Sequence, residues 1–543
     1  MTLREISIAP FAGQKPGTSG LRKKVAEFQR PHYLAAFVQA IFDSQPGLRG
    51  GCLVLGGDGR YFNREAAALI LRMAAANGVA RTIVGGGALL STPAASAVIR
   101  RHGAQGGIIL SASHNPGGPD GDFGVKFNGA NGGPAPESVT DAIYQATQTL
   151  QRYLILDDPA PEFDQPGKTR LGGMEIDVID PVADHIAVLQ RLFDFDAIRD
   201  LLKSGFSMRF DGMHAITGPY ARRALVDLLG ASPDCLINAE PLPDFGGGHP
   251  DPNPAHAEEL MRLMQAANGP DFGAASDGDG DRNMILGRGI AVSPSDSLAF
   301  LTANAELVPG YVAGLAGVAR SMPTSRAVDA VARKLGIPCF ETPTGWKFFG
   351  SLLDAGRITL CGEESYGTGS DHVREKDGLW AVLFWLNILA RRRQPVAALL
   401  AEHWRQYGRH YYSRHDYEAL ETSQAQAAMA DLAAALPALT GREIGGLKIT
   451  AADDFAYTDP VDGAESRHQG LRIICGEQAR IVARLSGTGT EGATIRLYFE
   501  YFEPDPSRQQ QDVQHRLLPL ITFAEELLNL RQRTGRNGAD VIT

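Results

Sequence analysis

The stretch Asp277-Gly278-Asp279-Gly280-Asp281-Arg282 sets three carboxylates at alternate positions behind the apolar, small-residue run Phe272 to Ser276. Like charges this close repel, so one or more must hold a proton unless a cation neutralises them. Hard oxygen donors suit Mg2+ or Ca2+. An EF-hand loop is excluded: its sixth position needs Gly and has Arg282, its twelfth needs Glu and has Arg288, and the flanks read as strands. Few carboxylates, with room left for a phosphate oxygen, favour Mg2+. A second reactive stretch is Ser111-Ala112-Ser113-His114-Asn115-Pro116-Gly117-Gly118, after the apolar Gly107 to Leu110. Pro116 and the glycines forbid a helix, which places Ser113 on a loop just past a strand end, where open α/β sheets bind ligands. A serine hydroxyl is a weak nucleophile unless a base lies in reach, and His114 and Lys126 are the candidates.

Gly487-Thr488-Gly489-Thr490-Glu491-Gly492 matches the dinucleotide fingerprint, which requires a helix after it. Here Ala493 to Phe499 reads as a strand, as does Arg480 to Leu485 before it, so a nicotinamide cofactor is excluded. What remains is a hairpin whose Ser/Thr/Gly tip can cradle an anion on backbone N–H groups. Arg484 and Arg496 lie six residues either side of Thr490, and a symmetric hairpin sets them opposite each other. That is unfavourable unless an anion lies between them. Gly362-Glu363-Glu364-Ser365-Tyr366-Gly367 follows a strand-like Ile358 to Cys361, with His372, Arg374 and Lys376 further on. Carboxylate plus hydroxyl suits sugar hydroxyls, and Thr344-Gly345-Trp346-Lys347 adds a small-residue turn with another cation. Read alone, this is an ordinary solvated loop of mixed charge.

The elements that must hold these loops follow one rhythm of strand, small-residue loop and amphipathic helix. Leu53 to Leu55 leads through Gly56-Gly57-Asp58-Gly59-Arg60 to a helix over 64–76. Ser207 to Phe210 leads through Asp211-Gly212 to a helix from about Tyr220. Val312 to Val318 leads through a Ser/Thr/Pro loop to a helix over 327–335, closed by Gly336. This is the βαβ signature of a parallel or mixed sheet. After about Tyr407 the texture changes to a helix over 422–435 and a strand-rich run from Leu471 to Phe502, an α+β unit.

The 543 residues make about 3.6 domains at roughly 150 each. A net charge of −10 argues against a general nucleic-acid binder. The start, Met1 to Glu5, carries no apolar run, which predicts no secretory signal. The apolar Gly378 to Ala390 carries Asn387 and is too short for a bilayer, so it reads as a buried core helix. Five scattered cysteines without C-x-x-C are neither a zinc site nor a disulfide framework, and fit a reducing cytoplasm.

Together these loops resemble the α-D-phosphohexomutase family, and within it the glucose-type phosphoglucomutases, from Lys15-Pro16-Gly17-Thr18-Ser19-Gly20-Leu21-Arg22 to the Arg484–Arg496 hairpin. The serine, metal and phosphate loops mark the superfamily; GEESYGTGS, Gly362 to Ser370, marks the branch. The resemblance implies three similar α/β domains with mixed sheets plus a C-terminal α+β domain around a central cleft, with boundaries at 1–182, 183–292, 293–407 and 408–543. It implies reversible conversion of α-D-glucose 1-phosphate and α-D-glucose 6-phosphate, an isomerase reaction in glucose and glycogen metabolism. Ser113 would be the phosphoserine. Asp277, Asp279 and Asp281 would hold Mg2+ with an oxygen from Ser113, and glucose 1,6-bisphosphate would be intermediate and activator. His114 and Lys126 would be acid/base candidates, with Arg22 and Arg282 at the reacting end. Thr18, Ser19, Thr344, Gly345, Lys347, Glu363 and Ser365 would meet the substrate. Arg484, Ser486, Thr488 and Arg496, with Lys376, would hold its other phosphate. The fourth domain, hinged near Tyr407 to Tyr411, would close the cleft. The only partner implied is a small phosphosugar, with the chain a monomer or weak homodimer. Ser111, Tyr366 and Glu491 depart from the family's usual Thr, Phe and small residue, and a carboxylate at 491 must point away from a phosphate. The competing readings are a mutase preferring mannose or glucosamine phosphates, a non-catalytic phosphosugar-binding relative, and a Ca2+-binding structural protein.

Overall fold

The computed structural model describes residues 2–17, 19–486 and 492–543. Four large sheets organise the described residues. The first runs, in spatial order, Leu21–Lys24, Asp122–Gly129, Gly106–Leu110, Cys52–Gly57, Arg81–Leu89, Met174–Ile179 and Gly167–Leu171. Its four strands from Gly106–Leu110 to Met174–Ile179 are mutually parallel and the outer ones antiparallel. The second is Leu236–Ile237, Met208–Asp211, Phe272–Ser276, Asn283–Gly287 and Ile290–Val292. The third is Cys339–Thr342, Val318–Ser321, Leu360–Glu363 and Gly367–Ser370. In both, three parallel strands are followed by an antiparallel one. The fourth sheet, containing Ala479–Ser486, Ala493–Glu503 and Arg409–Leu420, is wholly antiparallel.

Local chemistry explains these elements. The central parallel strand Cys52–Gly57 carries Leu53, Val54 and Leu55, all fully buried, as expected for a strand covered by helices on both faces. The helix Thr92–His102 starts where Ser91 Oγ accepts from Ala94 N (3.2 Å), and it ends at Gly103 in the left-handed conformation behind Arg100, Arg101 and His102. Those caps satisfy the orphan groups at both ends and complement the helix dipole. In the third unit the strand begins at Val318, so 312–317 is turn rather than the expected strand. Val312, Ala313, Leu315 and Ala316 make the stretch apolar, but Gly314 and Gly317 interrupt it.

The helix Gly378–Arg392 is buried on all sides from Gly378 to Ala390. It packs against Phe272–Ser276 and Asn283–Gly287 of the second sheet and Gly367–Ser370 of the third. Its polar groups find partners: Trp380 Nε1 donates to Tyr311 Oη (2.7 Å), Trp385 Nε1 to Ser297 Oγ (2.9 Å), and Asn387 Nδ2 to Leu307 O (3.1 Å). A buried indole N–H without such an acceptor would be costly. No described helix is long and apolar enough to cross a membrane.

The connection to the fourth sheet is one residue, Gly408, between the helix Val396–Tyr407 and the strand Arg409–Leu420, to which Tyr411 belongs. Gly408 has φ +84°, and a Cβ there would meet the Phe502 ring at 2.2 Å. Buried Arg480 secures the same junction, donating to Met322 O (2.7 Å) and Thr324 O and ion-pairing with Glu500. Gly408→Ala should therefore cost roughly 1–3 kcal/mol, read as a lower unfolding midpoint in calorimetry; an unchanged midpoint would contradict this strain.

Candidate active site

Three reactive loops occupy one topological position in three sheets. In each, the last strand of the parallel set hands over to an antiparallel neighbour: Gly106–Leu110 to Asp122–Gly129, Phe272–Ser276 to Asn283–Gly287, and Leu360–Glu363 to Gly367–Ser370. The turns between them carry Ser113, the Asp277–Asp281 carboxylates, and Glu364–Tyr366. Direct backbone contacts tie them together. Asn283 N donates to Tyr366 O (2.8 Å), Gly378 N to Gly280 O (3.0 Å) and Thr92 N to Asp279 O (2.9 Å).

Ser113 sits at φ +53°, uncommon for a residue with a Cβ, and its surroundings hold it there. Its N–H donates to Ser111 Oγ (2.7 Å), so the Ser at 111 keeps a hydroxyl's role. Arg60 donates to Ser113 O (2.7 Å) and Asp122 O (2.8 Å) while ion-pairing with Asp58 at 3.0 Å, both side chains fully buried. Ser113 Oγ donates to Asp277 Oδ2 (3.0 Å) and lies 3.5 Å from His114 Nδ1. Burial first, then Arg282 and Arg22, push His114 well below the usual imidazole range, so it stands neutral. Strand pairing sets Lys126 opposite Ile109; its Nζ lies 2.5 Å from Asp279 Oδ2.

In the acidic loop, Asp277 Oδ1 accepts from the N–H groups of Asp281 (2.9 Å) and Arg282 (3.0 Å). Burial and then the neighbouring Asp281 and Asp279 raise Asp277 well above the carboxylate range. Asp279 goes the other way. Burial alone would raise it, but Lys126, with Thr92 donating at 2.5 Å, holds it far below. The intervening glycines are required: a Cβ at Gly278 would meet Ser113 O at 2.3 Å, and Gly280 has φ +80°. One ligand oxygen from each of Asp277, Asp279 and Asp281 lies within 4.8 Å of the others. Asp279 Oδ1 and Asp281 Oδ1 are buried with no hydrogen-bond partner among the described residues. Orphaned buried anionic oxygens are expensive, and a hard divalent cation answers that cost, so the residues fit Mg2+.

Beside this triad lies a cavity of about 110 Å3. Ser19, Arg22, Ser113, His114, Lys126, Asp281, Arg282, Thr344, Gly345, Glu363, Ser365, Lys376 and Arg496 line it, so the expected residues converge from all four units. Glu363 Oε1 accepts from Gly345 N (2.9 Å), and Lys376 Nζ lies 3.3 Å from Asp281 Oδ2 and 3.9 Å from Glu363 Oε2. Arg22 Nε is buried without a hydrogen-bond partner among the described residues.

Other expected residues lie elsewhere. Lys347 turns to Glu137 (3.1 Å). Arg484 and Arg496 are directly paired in register, as the hairpin symmetry requires, yet their charges part. Arg484 Nε donates to Gln469 O (3.3 Å) while Arg496 Nε approaches Asp416 Oδ2 (3.5 Å). The pairing is therefore tolerated here through separate partners. Ser486 ends the first strand of that hairpin. Thr18, Thr488 and Glu491 lie outside the described residues.

Sequence reasoning missed Arg60 and Asp58, although Gly-Gly-Asp-Gly-Arg offered a charged pair inside a small-residue turn. It also missed Thr92 and Glu375, the latter beside Lys376 and lining the cavity.

Comparison with known proteins settles the family. Models of the phosphoglucomutase/phosphomannomutase α/β/α domains match in order: domain I over residues 13–154, domain II over 183–289 and domain III over 294–407. A model named for the phosphoglucomutase-1 C-terminal domain matches 409–540. The chain belongs to the phosphoglucomutase/phosphomannomutase family. Among family members, the phosphoglucomutase of Rhizobium radiobacter is 55% identical over 541 residues, covering 100% of both chains. The chloroplastic phosphoglucomutase 1 of Marchantia polymorpha is 51% identical over 554 residues, covering 100% of this chain and 85% of that one. The open form of the Paramecium phosphoglucomutase pp63/parafusin superposes with a TM-score of 0.90 at 48% identity, over 100% of this chain and 99% of that one.

Glu375 yields a pH prediction. Its Oε1 accepts from Asn128 Nδ2 (2.9 Å), and burial pushes its carboxyl up to about 8. A folded-state value above the unfolded one means stability present below about pH 4.5 and lost as pH rises toward 8. Glu375→Gln keeps the acceptor and removes the proton, so its unfolding midpoint relative to the parent should rise between pH 6 and about 9. A constant difference over that range would refute the assignment.

Proposed function

We propose that this protein interconverts α-D-glucose 1-phosphate and α-D-glucose 6-phosphate through a phosphorylated Ser113 and glucose 1,6-bisphosphate. The observation that carries this reading is Ser113 Oγ, held 3.0 Å from Asp277 Oδ2 at the edge of three clustered carboxylates. A hydroxyl placed there is set to carry a phosphoryl group beside a bound cation. Asp277, Asp279 and Asp281, with a phosphoserine oxygen, would hold Mg2+, whose charge offsets that on the transferred group.

The chain's own residues do the rest. The P–Oγ bond of phospho-Ser113 breaks as a bond forms to the free sugar hydroxyl, whose proton must leave. His114, neutral and 3.5 Å from Ser113 Oγ, is the better-placed acceptor. Lys126, its Nζ 2.5 Å from Asp279 Oδ2, stands beside the transferred group. Arg22 and Arg282 steady the reacting end. Glu363 and Ser365, with Ser19, Thr344 and Gly345, read sugar hydroxyls. Arg496, with Arg484, Ser486, Thr488 and Lys376, takes the non-reacting phosphate. The bisphosphate then turns end for end and returns its other phosphate to Ser113. Closure about Gly408 would exclude water from phospho-Ser113 and bring Arg484 and Lys347 toward the cleft. This reading takes the domains as 1–182, 183–292, 293–407 and 408–543, the chain as a monomer or weak homodimer, and its place as the cytoplasm, consistent with five free cysteines.

Ser113→Ala should reduce turnover roughly 10^3-fold or more in a coupled glucose 6-phosphate assay while the unfolding midpoint stays near the parent's. Intact mass should show one phosphoryl group on the parent, discharged by substrate, and none on the variant; near-normal turnover of the variant would end the proposal. The Gly362–Ser370 loop predicts a kcat/KM for glucose 1-phosphate at least about tenfold above those for mannose and glucosamine phosphates, and a mannose preference would overturn the glucose assignment.

A further inference from the structure

Next to Arg282, and separate from the three aspartates, lies a group of a different chemical character. We propose that His249, Asp251 and His256 form a second metal site, selective for a borderline transition-metal cation such as Zn2+ or Co2+, that reports on Arg282. One ligand atom from each of the three residues lies within 4.8 Å of the other two. All three come from a single loop that ends at the helix Glu258–Gln265. Two imidazoles and one carboxylate suit Zn2+, Co2+ or Ni2+, and an all-oxygen cation such as Mg2+ poorly. Three protein ligands leave a coordination position for water or an anion.

Two further observations point the same way. His249 Nδ1 is buried without a hydrogen-bond partner among the described residues, a state that metal ligation would relieve. The rings of His249 and His256 stack at 4.3 Å and 21°, which two protonated imidazoles would resist. Asn253 accepts from His256 N (3.2 Å) and donates to Asp251 Oδ2 (2.9 Å), holding the loop's two ends together.

The consequence runs through Asp251. Its Oδ1 accepts from Arg282 NH1 at 3.0 Å, and burial is outweighed by Arg282 in keeping Asp251 ionised. A cation on Asp251 withdraws the charge that steadies Arg282, which lines the catalytic cavity. Occupancy should therefore lower turnover; this consequence, unlike the site itself, rests on the proposed mutase reaction.

The test uses the full chain with Mg2+ in large excess and no substrate. Titrated Co2+ should bind one equivalent with the visible absorption of a nitrogen-ligated ion. His256→Gln, at an exposed position, should lose that signal while keeping the parent's unfolding midpoint. No nitrogen-ligated Co2+ in the parent, or an undiminished signal in His256→Gln, would overturn the site. In a second arm, Zn2+ added at saturating Mg2+ should inhibit the parent at a concentration at least about tenfold below that needed for His256→Gln. Equal inhibition would overturn the link to Arg282. Because the Co2+ arm needs no turnover, a failed mutase assignment leaves it readable.

Discussion

Three buried carboxylates within 4.8 Å of one another set the constraint on which this architecture depends. Each draws a cation from a different sheet unit. Lys126 of the first reaches Asp279 at 2.5 Å, Arg282 of the second stands 3.8 Å from Asp277, and Lys376 next to the third reaches Asp281 at 3.3 Å. None of the three units could carry the triad alone, since an unpaired buried charge is strongly destabilising. The electrostatic need of one loop thus becomes the reason the units meet. Two carboxylate oxygens still lack partners among the described residues, which leaves the demand for a divalent cation.

Repetition of one strand pattern supplies the means. A parallel strand that gives way to an antiparallel neighbour ends in a turn whose residues here are buried: Ser113, Asp277, Asp279, Asp281 and Glu364. Three such turns place Ser113, the acid cluster and Glu363 around one cavity. The buried helix Gly378–Arg392 fixes the second and third sheets against each other, and its N-cap Asp377 follows Lys376 directly in the chain. Packing and catalytic placement are therefore one problem at this point. The fourth sheet is attached differently, by Gly408 and by the buried Arg480–Glu500 network, and it contributes Arg496 to the cavity.

Net charge misleads about such a site. The chain carries −10, yet Arg22, Lys126, Arg282, Lys376 and Arg496 face one small cavity. A dianionic ligand meets a local excess of positive charge, because the acidic groups there are already engaged with cations or each other.

The sequence alone determined the reactive types and their local geometry. The Asp-x-Asp-x-Asp spacing, the proline-stopped serine loop and the Arg484–Arg496 register all follow from near-neighbour sterics and strand symmetry. These operate over a few residues, so they can be read from a linear string. It also marked the buried helix, whose apolar residues leave no polar face. It overran at Val312 to Gly317, where an apolar run broken by two glycines resembled a strand. Only the tertiary structure decided which cation meets which carboxylate, that Arg60 and Asp58 hold Ser113 at positive φ, and that Lys347 and Arg484 turn to other partners. Many of those choices join residues far apart in the chain, such as Arg60 with Ser113, Lys126 with Asp279 and Lys347 with Glu137, and long charged side chains settle them by whichever desolvated partner lies in reach, a quantity no local pattern encodes.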